Sequence, residues 1–188
     1  MIPELEQRLK DFEAARHEIH DLVAGLDDEQ FNRRVDDKRW SVVECVDHLL
    51  VVGWKMVPQL DAAVVRGRGR GWVAEGPFRY GALGNWFVKQ MGDDRLPPRG
   101  GVRAPRIYVP RRRKDWKIPQ AVEEFTNLQE KYSEIVRHAD GLDLARIKVS
   151  SPVTRLIRLS LGQWLAGTAG HQRRHLWQAA QIKKELLR

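Results

Sequence analysis

Apolar positions recur along this chain with the period of helices, in four long stretches. In residues 3–24, Leu5, Leu9, Phe12, Ile19 and Val23 fall three or four apart and make one apolar face. Pro3 suits a first helical position, and Gly25 a residue just past the end. The second stretch starts at Ser41. Ser41-Val42-Val43-Glu44 reads as a capping box, in which the serine oxygen accepts a backbone N–H and the glutamate reaches back. Trp40, just before it, is placed to staple onto Cys45. The pattern then runs through Val46, His48, Leu49, Val52 and Met56 to about Val65, with Pro58 predicted to kink or restart the helix. Residues 119–140 carry a third face of Val122, Phe125, Leu128, Tyr132, Ile135 and Ala139, ended by Gly141. The fourth stretch, 159–188, has no proline. It repeats through Leu161, Trp164, Leu165, Ala169, Leu176, Ala179 and Ile182, with Ser160 as the expected N-cap and Lys183, Lys184 and Arg188 at the negative end of the helix dipole.

The segments between are less regular. Residues 26–39 read as a connection with a short turn at 27–31, and 142–158 as another, with Pro152 in it. No stretch makes a convincing strand, and there is no internal repeat. Residues 66–118 are rich in glycine and proline, with one short helix expected at about 80–91 and extended loop elsewhere. Long structureless stretches in compact domains are often binding loops or lids. Trp72, Phe78, Trp86, Phe87, Tyr108 and Trp116 predict that this one packs against the rest of the chain. The expected fold is all-α: a single domain over 1–188, built as a four-helix bundle with a long crossover between the second and third helices.

The fourth helix holds a physical oddity. Trp164, Thr168, His171, His175, Gln178 and Ile182 step by three or four, so two titratable rings share a stripe with residues that seek burial. Histidines four apart can bind one metal ion, although such pairs also arise by chance. His48 points inward too, from the second helix. A bundle gathers side chains from facing helices around a common interior, so His48, His171 and His175 could supply three neutral imidazoles to a divalent ion. Three protein ligands leave positions open for water or substrate. Imidazole suits zinc, nickel or iron equally. Peptidases of the His-Glu-x-x-His type carry a glutamate as general base where this chain has Gln172, which cannot take a proton. Glu44, one turn before His48, is the nearest carboxylate that could steady a ligand, beside its capping role. Arg174 could bond a carboxylate such as Glu44, and Gln178 could orient a ligand or bound water. His17 and His20 lie off the apolar stripe and read as surface residues.

Charge changes the picture only locally. The net charge of +8 is concentrated: 14 of the 33 Lys+Arg but 4 of the 25 Asp+Glu fall between Arg66 and Lys117. An electrostatic partner is therefore a question about the crossover alone. Cys45 is the one cysteine, which excludes an internal disulfide framework. No apolar run reaches the roughly 20 residues of a membrane span, and the acidic start has no secretory signal pattern. The expected setting is the cytoplasm, with no membrane partner.

The run from Trp40-Ser41 to His48-Leu49, with Leu161-Gly162-Gln163-Trp164-Leu165 and His171-Gln172-Arg173-Arg174-His175-Leu176-Trp177-Gln178, resembles the DinB-like superfamily, including its YfiT type. The crossover matches no pattern of that family. The resemblance implies a four-helix bundle, commonly a homodimer, and a divalent metal held by three histidines, mapping to His48, His171 and His175. Characterised relatives include thiol-dependent S-transferases and a mycothiol-dependent isomerase. The leading expectation is thus a metal-dependent transferase acting on a small-molecule substrate with a low-molecular-weight thiol. Arg103, Arg106 or the run Arg111-Arg112-Arg113 would hold the carboxylates of that thiol. The alternatives are metal-activated hydrolysis of small esters or amides, a weaker nucleic-acid-binding reading based on the basic crossover, and a catalytically silent bundle that binds metal for stability.

Overall fold

The computed structural model describes residues 1–92, 106–111, 116–152, 154 and 156–188. Among the described residues, six α-helices run in the order α1 (Pro3–Val23), α2 (Asp28–Asn32), α3 (Val42–Gly69), α4 (Ala82–Met91), α5 (Ile118–His138) and α6 (Leu161–Leu186). A 3-10 turn, Arg106–Tyr108, lies between α4 and α5. The four long helices form the expected bundle. α1 packs on α5 and α6, and α3 packs on the same two, so α1 and α3 stand across the diagonal.

The caps explain where these helices begin. Ser41 and Ser160 each accept the N–H three residues on, and the Glu44 and Gln163 side chains return to their N–H groups. Asp27 caps α2 in the same way, through Gln30. Gly25 and Gly141 follow α1 and α5 with φ of 77° and 78°, a conformation that side chains with a Cβ resist. Inside, Phe12 of α1 stacks on Tyr132 of α5 with ring centroids 4.8 Å apart. Both rings are buried, and burial of each such side chain contributes roughly 1.5–3 kcal/mol.

Three details differ from the sequence expectation. First, α3 does not stop near Val65 but passes Pro58 and continues to Gly69. Pro58 and its neighbours Trp54 and Gln59 face solvent, where water can satisfy the carbonyl that proline leaves free. Second, the 142–158 connection contains strands. β1 (Lys148–Ser150) pairs antiparallel with β2 (Arg158–Ser160), in register Lys148 with Ser160 and Val149 with Leu159. Each strand is three residues long with few buried positions, too little alternation to read. The pair is held to the bundle by Trp164, whose Nε1–H donates to the Val149 carbonyl at 2.9 Å. Third, the fourth long helix starts at Leu161, because Leu159 and Ser160 belong to β2.

The crossover packs as its aromatics predict. Trp72, Phe78 and Phe87 lie against the core and Trp116 is buried, while Trp86 is exposed. α4 lies on α6. The Tyr80 hydroxyl donates to the Glu4 carboxylate at 2.8 Å, tying the crossover to α1. Several basic residues of this region are engaged at the surface of the fold. Arg66 donates to the Lys148 carbonyl at 2.8 Å, and Arg68 donates to that of His138 at 2.7 Å. Arg70 lies over the Trp72 ring. Among the described residues, no helix is long and apolar enough to cross a membrane.

Candidate metal centre

The capping box at Ser41 sets the start and phase of α3, and with it the direction of His48. α6 is likewise phased by Ser160, and its helical pitch puts His171 and His175 one turn apart on the face towards α3. The three rings meet as the sequence predicts. Their centroids are 4.5, 4.6 and 5.1 Å apart, and one nitrogen from each lies within 4.8 Å of the others. Among the described residues this is the one group of His, Cys, Asp or Glu side chains gathered closely enough to hold a metal ion. His48 is buried at 3 % exposure, while His171 and His175 keep partial exposure.

Hydrogen bonds fix which nitrogen two of the rings offer. His48 Nδ1 lies 2.6 Å from the Tyr108 carbonyl oxygen, which can only accept, so Nδ1 carries the proton and Nε2 the lone pair. His175 Nδ1 lies 3.1 Å from Oε1 of Gln178, which leaves its Nε2 free in the same way. His48 Nε2 and His171 Nε2 stand 3.2 Å apart. Two nitrogens that each sit about 2.0–2.1 Å from a tetrahedral zinc ion are separated by about 3.3 Å. The three imidazoles suit a divalent ion in their chemistry, and the His48–His171 pair has the matching separation.

The electrostatics agree. Burial lowers the basicity of all three rings. His171 is held well below the usual histidine value by burial and then by the neighbouring His175, His48 and Arg174. His175 is pushed down to about 3, mainly by burial. His48 is lowered by burial against the opposing pull of the Tyr108 carbonyl and Asp47. Neutral imidazole is the form that binds a metal.

The surrounding residues take different parts from those expected. Glu44 does not turn to the histidines. It completes the capping box and accepts from Arg34 Nε and Nη2 at 2.6 and 2.5 Å. The partner proposed for it, Arg174, is half-buried on α6 near His171 and His175, close enough for its charge to lower both. Gln178 places its Oε1 3.1 Å from His175 Nδ1. Trp40, expected to staple onto Cys45, lies against His48 and His175, with centroids 4.9 and 5.8 Å away. Arg106 is exposed and opens the 3-10 turn that ends at Tyr108. Arg103, Arg112 and Arg113 lie outside the described residues.

Two features escaped the sequence reading. Tyr108 acts through its backbone carbonyl, which has no signature in sequence. Asp47, 3 % exposed, binds Arg111 through its N–H at 2.6 Å and its guanidinium at 2.5 and 2.8 Å. A carboxylate set among Val46, His48 and Leu49 was a legible sign of a buried ion pair.

A family model described as the DinB superfamily matches residues 11–179. No curated protein and no solved structure matches the chain.

Proposed function

The chain belongs to the DinB superfamily, and from that premise we propose that it is a divalent-metal-dependent transferase acting with a low-molecular-weight thiol. The observation that carries this reading is the convergence of three neutral imidazoles from two helices, with no carboxylate in the group. His48, His171 and His175 would hold the ion, which could be zinc, nickel or iron. A divalent cation bound there lowers the pKa of whatever thiol or water reaches its open positions.

The choice of thiol over water rests on the carboxylates. Both of those nearest on α3 are committed, Glu44 to Arg34 and Asp47 to Arg111. Gln172 is buried and is no base. A thiol, with an ordinary pKa of about 8.5, needs far less help to ionise than water at about 15.7. The missing base thus weighs against hydrolysis of esters or amides more than against sulfur transfer.

The thiol must come from outside. Cys45 is 1 % exposed, and burial pushes its thiol strongly up, so it supplies no nucleophile. Trp40 covers one side of the histidine cluster, against His48 and His175. Arg106, exposed at the start of the 3-10 turn that ends at Tyr108, would meet a carboxylate on the incoming thiol. The reaction forms a carbon–sulfur bond. The thiol proton goes to solvent, and the leaving group departs with the bonding pair.

The test is to load purified protein with zinc, nickel or iron and assay conjugation of bacillithiol, mycothiol or glutathione to an electrophile. Thiol-dependent turnover that disappears in His48→Ala supports the reading. A metal-loaded protein with no turnover on any of the three removes it.

A further inference from the structure

Asp47 and His48 are adjacent on α3, and the 106–111 segment of the crossover is fastened to both. Asp47 takes the backbone N–H and the guanidinium of Arg111. His48 Nδ1 meets the Tyr108 carbonyl at 2.6 Å. Tyr108 is also held by its phenol, which is half-buried and hydrogen-bonded to Ser151. The Arg111 guanidinium lies 5.6 Å over the Trp116 ring as well. A strap of crossover backbone is thus fixed at Tyr108 and at Arg111, and one carbonyl of it points at a histidine of the cluster.

A neutral imidazole exchanges freely between two tautomers in water. A carbonyl selects one of them only if it stays in place. The one holding His48 belongs to a segment with no helix or sheet ladder of its own beyond a single turn. Beyond the Tyr108 phenol, what can hold it is the attachment three residues on. A carboxylate as deep as Asp47 needs partners for its charge, and Arg111 supplies three hydrogen bonds to it, one from its backbone N–H and two from its guanidinium.

We propose that Asp47 and Arg111 form a latch that positions the Tyr108 carbonyl, and through it keeps His48 with Nδ1 protonated and Nε2 facing His171 and His175. Asp47 and Arg111 are positioning residues; neither is a ligand. The tautomer half of this inference stands on the metal-free protein. Its consequence for metal affinity rests on the metal-centre reading above.

The experiment uses the full chain, labelled with nitrogen-15 and free of metal. Two-bond proton–nitrogen spectra report the tautomer of each histidine near neutral pH. The wild type is expected to show His48 with Nδ1 protonated. Arg111→Ala and Arg111→Gln are expected to show mixed tautomers at His48, with His175 unchanged because Gln178 holds it. Zinc titration should then give a Kd about tenfold weaker in both variants, as for loss of other groups that orient a ligand. An unchanged His48 spectrum in Arg111→Ala overturns the latch. Should that variant fail to fold, Arg111→Gln decides by the same criterion. If the tautomer shifts but zinc binds neither wild type nor variant, the latch stands and the metal-centre reading falls.

Discussion

Gly92 and Gly170 touch backbone to backbone: a Cβ added to either would stand 2.2 Å from the carbonyl oxygen of the other. Gly92 follows α4 and Gly170 precedes His171 on α6, so this contact sets α4 beside the histidine cluster. Neither side can yield, because the opposing atoms are main chain.

Gly170→Ala therefore tests the contact. In an unpacked helix the change would stabilise by about 1 kcal/mol. Here the clash should outweigh that gain, with a net loss of about 1–3 kcal/mol. Urea denaturation checks the sign: a lower midpoint is expected, and a stabilised variant would show that the two backbones lie farther apart.

Metal content is the second expectation. Protein purified without a polyhistidine tag should carry about one divalent ion per chain by elemental analysis, as three protein ligands at one centre require. At free metal 100-fold above Kd, binding adds about 2.7 kcal/mol of stability. Chelation should lower Tm accordingly. His171→Ala should lose both the ion and the chelator-sensitive part of Tm.

Gln178→Leu removes the acceptor 3.1 Å from His175 Nδ1 while keeping a side chain of similar size. Ring orientation loosens, and metal affinity should fall by about 10–100-fold with little change in the metal-free Tm. Isothermal titration with zinc distinguishes the two quantities. An unaltered Kd would mean that Gln178 does not orient the ring.

Glu44 yields a pH prediction. Burial works to raise its pKa, but Arg34 and the Ser41 N–H outweigh it, and the folded value lies below the ordinary 4.5. The sign follows from proton uptake. Above about pH 4.5 both states are ionised and the stabilisation is complete. As pH falls through the folded value, the unfolded state has taken its proton first and the stabilisation is lost. Glu44→Gln should cost about 1 kcal/mol at pH 7, after allowance for solvent at partly exposed Arg34. That difference from wild type should shrink steadily below pH 4.5 in denaturant titrations.

Much of this architecture was legible because the helices announce themselves twice, by period and by cap. Ser41 and Ser160 mark the starts of α3 and α6, and those phases alone turn His48, His171 and His175 inward. The triad was readable for that reason. The parts that were not readable lack a side-chain signal or depend on distant partners. The carbonyl of Tyr108 could belong to any residue. Arg34 meets Glu44 only because 26–41 folds back over the start of α3. Trp40 looks like a helix staple until α6 brings His175 under it. The β1–β2 pair needs only Val149 and Leu159 as its buried apolar anchors, fewer than a periodicity can register.

The sequestration of Cys45 bears on endurance. Its sulfur lies inside the bundle, out of reach of solvent. Oxidants, alkylating agents and disulfides attack an accessible thiolate, and here they find none. In the chemistry proposed, sulfur nucleophiles and electrophiles are the daily diet, and the catalyst presents no sulfhydryl of its own for them to modify. Its lifetime should accordingly be limited by loss of the ion or by unfolding, rather than by chemical damage to the chain's single sulfhydryl.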